Sequence, residues 1–194
     1  MKKLDPATYR TMPWKNGGGS TTEALVLPPG ATLDTFEVRV SFARVATDGP
    51  FSCFPGVDRT LVLLSGAGVA LSTADDAVVQ LRPASRPFVF TGDDACTAAL
   101  ENGPVEDLNI MTRRASHRHH ALRVTLDTGR TLTCMGELSL LAVLAGNVLA
   151  TDGTGELRLG PRDLLTLLPG EAHVVLESAS ASPADVLVID ITRR

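Results

Sequence analysis

Aromatic side chains are scarce, at 4% of 194 residues, cysteine occurs three times, and lysine is confined to Lys2, Lys3 and Lys15. Cys53, Cys96 and Cys134 are odd in number, far apart and form no CxxC pair, which argues against a disulfide framework and against a thiolate zinc site. A reducing compartment follows as the expectation. No apolar run reaches the roughly 20 residues of a spanning helix; the longest, Leu138 to Ala150, is broken by Ser139, Gly146 and Asn147. Met1, Lys2 and Lys3 lead into Asp5, Pro6 and Arg10 rather than into an apolar segment, so no secretory signal is read. The expected location is cytoplasmic, with no membrane partner. Excess positive charge is missing too: 18 basic against 22 acidic side chains leave a net charge of −4, which offers no general field for nucleic acid. The 44% hydrophobic and 21% charged content is that of an ordinary globular chain, long enough for one large domain or two small ones.

Strand signals dominate what is present. Phe36, Val38, Val40 and Phe42 alternate with Glu37, Arg39, Ser41 and Ala43, which puts the two sets on opposite faces of a strand. Short apolar runs follow at Leu61 to Leu64, Val78 to Leu81, Phe88 to Phe90, Cys96 to Leu100, Leu122 to Leu126, Leu138 to Leu144, Leu164 to Leu168, Val174 to Leu176 and Val186 to Ile191. Turn residues separate them, among them Asp48-Gly49-Pro50, Pro55-Gly56, Asp127-Thr128-Gly129 and Pro169-Gly170. The pattern predicts an all-β sandwich or barrel rather than βαβ units, with at most a short helical turn near Pro6 to Met12.

An internal repeat is legible. Leu61 to Gly68 and Leu141 to Asn147 share a style, with Gly66 and Gly146 eighty positions apart. Each is followed by a Pro/Arg turn, Arg82-Pro83 or Pro161-Arg162, and by an apolar strand ending in Gly92-Asp93 or Gly170-Glu171. Two copies of one β-module, joined between Ala115 and Ala121, account for this. Gly160-Pro161-Arg162-Asp163 and Pro169-Gly170-Glu171-Ala172-His173 resemble the second cupin motif, in which the histidine points into the barrel. The metal-binding first motif has no counterpart here. All the aromatics, Tyr9, Trp14, Phe36, Phe42, Phe51, Phe54, Phe88 and Phe90, lie in the first ninety residues, which directs the search for a ligand site to the N-terminal module.

Several stretches could carry chemistry there. Trp14 to Thr21 has the glycines of a phosphate loop but the wrong order, since Lys15 precedes Gly17, Gly18 and Gly19 and a strand follows. Asp107, Asn109, Met111 and Arg113 share one face of a strand whose other face is Leu108, Ile110 and Thr112. That polar row faces either solvent or a cavity, as do Arg39 and Ser41. Arg59 either pairs with its neighbour Asp58 or joins Arg39 and Arg113 as a donor to a carboxylate, for which guanidinium is suited.

Pro13-Trp14-Lys15-Asn16-Gly17-Gly18-Gly19, the strand with Arg39, Ser41, Ala43, Arg44 and Val45, the segment Asp48 to Arg59, Leu63-Leu64-Ser65-Gly66, and Gly103 to Arg114 together resemble the HutD/Ves family. The resemblance covers most of residues 13 to 114. It implies an all-β bicupin fold, two barrel or sandwich modules, and an association with histidine utilisation in bacteria through small-molecule binding or regulation. Carried over residue by residue, it points to Trp14, Lys15, Asn16, Arg39, Ser41, Arg59, Asp107, Asn109, Met111 and Arg113 as ligand-binding. The modules are expected at 1–114, with the pocket, and 115–194, mainly structural. One departure is Val38 where many relatives carry tryptophan, a change that either reshapes a pocket wall or repacks the core.

The reading that follows is a binder of a small carboxylate, such as urocanate or N-formylglutamate, with no cofactor and no metal. An enzyme is the alternative, either an isomerase or hydrolase using Asp107 or a metal oxygenase using His117, His119 and His120. Exposed edge strands make a homodimer the expected assembly.

Overall fold

Extended backbone with alternating side chains runs through nearly the whole chain, and in the computed structural model the only helical element among the described residues is a 3₁₀ turn at Pro6–Thr8. The structure describes residues 1–74, 77–127, 129–134, 136–170 and 173–194. The strands are β1 (Lys2–Lys3), β2 (Arg10–Pro13), β3 (Gly19–Leu27), β4 (Val38–Val45), β5 (Gly49–Pro50), β6 (Val57–Ser65), β7 (Gly68–Ser72), β8 (Val78–Leu81), β9 (Phe88–Thr91), β10 (Thr97–Glu101) and β11 (Val105–Arg113). They continue as β12 (His117–Leu126), β13 (Arg130–Leu132), β14 (Leu138–Ala145), β15 (Val148–Thr151), β16 (Glu156–Leu159), β17 (Leu164–Leu167), β18 (Val174–Ser178) and β19 (Ala184–Arg193).

Contacts divide the chain into two units, Thr8–His117, and Met1–Ala7 with Arg118–Arg194. The first seven residues, read from the sequence as part of the N-terminal module, cluster with the other unit because Lys2 and Lys3 pair with Thr166 and Leu165 of β17. In the unit Thr8–His117 one sheet has the order β2-β3-β4-β11-β6-β9 and the other β5-β10-β7-β8. In the second unit the orders are β1-β17-β14-β19-β12 and β13-β18-β15-β16. Adding eight to each strand number converts β4-β11-β6-β9 into β12-β19-β14-β17, and β5-β10-β7-β8 into β13-β18-β15-β16. The repeat glimpsed at Gly66 and Gly146 is therefore a duplication of a whole eight-stranded module, and the fold is a bicupin. Among the described residues, the unit Thr8–His117 alone adds a hairpin, β2–β3, beside the module's edge strand β4.

The two interiors differ as the aromatic count led one to expect. Leu141, Val143, Val148, Leu165, Leu167, Val174, Leu176 and Val186 form the core of the second unit. In the unit Thr8–His117, Val45, Leu61, Leu63, Val69, Leu71, Leu81 and Val105 are joined by Trp14, Phe51, Phe88 and Phe90. Gly66 closes the β6–β7 hairpin at φ +103°, and a Cβ there would press on Val105 and the Pro104 carbonyl, so only glycine fits. Glu171 and Ala172 of the cupin-like motif, and Thr128 of the turn Asp127-Thr128-Gly129, lie outside the described residues. His173 does not point into a barrel: it is exposed and hydrogen-bonded to Thr133 Oγ1 at 2.8 Å. Among the described residues no helix is long and apolar enough to cross a membrane.

Leu71 is fully buried in the aromatic-lined core. Leu71→Ala should cost about 2–5 kcal/mol by removing buried methyls and leaving a cavity, read as a lowered urea midpoint at constant slope.

Candidate functional site

Antiparallel register places directly opposed residues on one face of a sheet. Across β4, β11, β6 and β9 this aligns Arg39 with Met111, Arg59 and Phe90; Ser41 with Asn109, Leu61 and Phe88; and Ala43 with Asp107 and Leu63. A bulge in β3 lets Glu23, opposite Ser41, and Val26, opposite Arg39, turn to the same face. Leu61 and Leu63 sink into the core, whereas the polar members of these rungs border a cavity of about 560 Å³. The turn after β2 and the segment 50–54 supply its other walls, with Trp14, Phe51 and Phe54 as aromatic surfaces.

Nine of the ten residues singled out in the sequence, all but Arg113, line this cavity. Arg39, Ser41, Arg59, Asp107 and Asn109 are each buried, so the polar row faces a cavity rather than open solvent. Lys15 is exposed at the rim. Arg113 is the correction. Its Nε donates to the Phe36 carbonyl at 3.0 Å, its Nη2 donates to the Asp34 carbonyl at 3.0 Å, and its guanidinium lies 5.4 Å from the Phe36 ring centroid. Arg113 is the last residue of its strand, so its long side chain reaches the loop before β4 and anchors it.

Burying charge requires partners, and the cavity supplies them unevenly. Arg39 Nε donates to Glu23 Oε2 at 2.8 Å, and its Nη1 approaches Met111 Sδ at 3.9 Å. Arg59 is sandwiched by rings, with its guanidinium carbon 5.6, 5.5 and 4.7 Å from the centroids of Phe51, Phe54 and Phe90. Its Nη2 donates to Asn109 Oδ1 at 3.0 Å, and Nη1 reaches the Ser52 carbonyl at 3.4 Å, while Nε is buried without a hydrogen bond to any described residue. Burial lowers the Arg59 pKa and the nearby Asp107 opposes that shift. Asn109 Nδ2 in turn donates to Asp107 Oδ1 at 2.8 Å, completing a cation–amide–acid chain. Burial is the main reason the Asp107 pKa rises to about 6, while Asn109 and Arg59 pull the other way.

The triple glycine serves packing rather than phosphate. Trp14 and Gly19 pair across the turn, Asn16 Oδ1 caps the Gly18 amide at 3.0 Å, and Trp14 Nε1 donates to Thr21 Oγ1 at 2.8 Å. A Cβ on Gly19 would lie 2.2 Å from the Arg44 carbonyl and 3.0 Å from the Trp14 ring, so glycine is what allows the indole to lie down beside β4. Asp58 pairs with Arg114 at 2.7 Å rather than with Arg59, because neighbours on a strand face opposite ways. Val38, where the resemblance implies tryptophan, is fully buried and is not part of the cavity wall. His117 is buried beside Ser116 and Glu37, His120 is exposed, and the described residues contain no group of three or more His, Cys, Asp or Glu side chains able to hold a metal ion.

Sequence reasoning missed Glu23, Thr21 and Leu33. Glu23 was legible only as part of a strand, and its role depends on the β3 bulge. Leu33 sits in the loop before β4, where no periodicity marks it.

Two β-sandwich units of one topology, one of them holding a cation-bearing cavity on its extended sheet, define a bicupin protein. The chain belongs to the HutD family, whose sequence model matches residues 6–183. Protein Ves of Citrobacter koseri is 45% identical over 109 residues, which is 54% of this chain and 56% of that protein. Protein Ves of Escherichia fergusonii is 42% identical over 108 residues, 54% and 55% of the two chains, so the match spans about half the length of these curated relatives. Among solved structures, a conserved protein of unknown function from Pseudomonas aeruginosa PAO1 is similar with a TM-score of 0.88 at 28% identity, covering 98% of each chain. HutD from Pseudomonas fluorescens SBW25 is similar with a TM-score of 0.84 at 28% identity, covering 100% of this chain and 98% of that one. A cupin 2 conserved barrel domain protein from Leptotrichia buccalis shares the fold alone, with a TM-score of 0.63 at 10% identity over 94% and 96% of the chains.

Two outcomes follow. Arg113→Ala should lower stability by about 1–3 kcal/mol through loss of its backbone hydrogen bonds, measured by denaturant unfolding. The Asp107 carboxyl keeps its proton in the fold up to about pH 6, whereas the unfolded chain releases it near 3.8. The folded state thus binds more protons in that window, and its stability falls as pH rises through it, by about 3 kcal/mol in total. Asp107→Asn, neutral throughout, should lack this decline when urea midpoints are compared between pH 4 and pH 7.

Proposed function

We propose that this protein binds a small carboxylate in the cavity of the unit Thr8–His117 and limits histidine utilisation through that binding. The observation that carries the reading is the convergence of buried Arg39 and Arg59 on one sheet face beside the neutral hydrogen-bonding groups of Ser41 and Asn109. In this reading the guanidinium groups orient the anion, Asn16 and Asn109 meet amide or imidazole groups, and Trp14 and Phe51 cover the apolar part. Lys15 adds attraction at the rim. Membership of the HutD family supports the metabolic setting, and the HutD structure from Pseudomonas fluorescens SBW25 is described as a formate condition, formate being the smallest carboxylate. Urocanate and N-formylglutamate, both acids of histidine breakdown, are the ligands proposed. The protein is proposed to work as a cytoplasmic homodimer.

A second reading, an isomerase or hydrolase, draws on Asp107, a buried carboxyl in a cavity with its pKa raised to about 6. It predicts consumption of the bound acid, which proton NMR of protein and ligand mixtures would follow.

The test of binding is a thermal-shift screen of small carboxylates followed by calorimetry, since a ligand that binds only the folded state raises its melting temperature. Arg39→Ala should weaken binding about 30-fold or more, as loss of one partner of a buried charge pair commonly does. Arg113→Ala should leave affinity within about twofold, because its side chain is committed to the loop. Unaltered affinity in Arg39→Ala would remove the carboxylate from this cavity.

A further inference from the structure

We propose that a carboxylate enters this cavity together with a proton that comes to rest on Asp107, which then donates a hydrogen bond to the ligand and favours anionic over cationic guests. This rests on the cavity being the carboxylate site proposed above, and adds a proton-linked selectivity to it.

The charge inventory of the cavity drives the inference. Arg39 is matched by Glu23 through a direct hydrogen bond of 2.8 Å. Arg59 is matched through one amide, its Nη2 bonding Asn109 and Asn109 bonding Asp107. With both carboxylates ionised, Lys15 at the exposed rim is the one cation left over among the described lining residues, and these offer an entering anion no excess positive charge in the buried interior. A carboxylate that sheds its water there would meet a second carboxylate at close range, an arrangement in which one of the two takes up a proton.

Asp107 is the group built to receive it. It is 2% exposed, and among the described residues the one hydrogen bond it accepts comes from Asn109 to Oδ1, so that none of them donates to Oδ2 in this wall of the cavity. The residues opposite it on β4 and β6 are Ala43 and Leu63, neither of which titrates. The charged groups around it are Arg59 from β6, Arg39 and its partner Glu23 from β4 and β3, Glu106 beside it on β11, and Lys15 at the rim. Glu106 adds to burial in favouring the neutral acid, while Arg59 opposes it, and the balance sits at about 6. Protonation there removes the negative charge facing Arg59 and converts an acceptor into a donor, and an acid hydrogen-bonded to a carboxylate is a strong pair. The arrangement disfavours a ligand that presents a second N–H donor or an ammonium to the same spot.

The experiment is titration calorimetry of the whole protein with formate and with N-formylglutamate, whose carboxylates stay ionised over the range, in two buffers of unlike ionisation enthalpy. Uptake approaching one proton per ligand is expected at about pH 7.5, falling toward zero at about pH 5, with affinity weakening by up to about tenfold per unit above pH 6. Asp107→Asn should bind both acids with an affinity that does not change across that range. Binding by the wild-type protein without net proton uptake, or with proton release, overturns the proposal and leaves the carboxylate site standing. Failure of both acids to bind at any pH overturns the site and the proton linkage together. Should Asp107→Asn fold poorly, the wild-type proton count decides by itself.

Discussion

The antiparallel register of β4, β11 and β6 is the constraint from which the rest follows. It stacks Arg39, Ser41 and Ala43 against Met111, Asn109 and Asp107 on one face, with Arg59 across from Met111. Shifting any of these strands by one residue would turn its charged set into the apolar packing of the opposite face and its valine and isoleucine set toward the cavity. Val38, Val40, Leu108 and Ile110 on the opposite face are fully buried, so the register is held by apolar packing that has no part in the cavity. The polar row is therefore tolerated rather than self-supporting, and its members survive burial through Glu23, Asn109 and the rings around Arg59.

Duplication makes the specialisation visible. Leu61 and Leu141 hold matching places in the two modules, eighty residues apart, and their β11 and β19 partners are Asn109 and Val188. One step along the same face, Leu63 faces Asp107 while Val143 faces Val186. Where one unit carries an amide and an acid, the other carries two valines that join its apolar core. The same strand order thus yields an apolar core in one module and a polar cavity in the other. The hairpin β2–β3 beside β4 brings Trp14, Lys15 and Thr21 to the cavity of that module.

Much of this was readable beforehand. Alternation around Arg39 and Asn109 put the polar row on one face, because a strand leaves its side chains only two directions, and left open whether solvent or a cavity lay against it. Arg113 obeyed the same alternation and was misassigned: at the end of β11 its reach, not its face, decides its partners, and the nearest are the carbonyls of Asp34 and Phe36. His173 was misplaced because a motif names a turn without saying which way the next side chain leaves it. Glu23 escaped notice because its direction depends on a bulge, and a bulge changes which residues share a face without altering composition.

The sequence by itself determined the all-β class, the doubling of a module, the cupin-like topology through its family resemblance, and the faces on which Arg39, Ser41, Asp107 and Asn109 lie, since these rest on periodicity and turn chemistry that act within a few residues. Only the tertiary structure decided that Glu23 neutralises Arg39, that three rings enclose Arg59, and that an amide connects Arg59 to Asp107. Those relations join residues as many as fifty positions apart in the chain. Their strength comes from burial, which raises the cost of an unpaired charge and the value of each partner, and burial exists only once the sheets have closed.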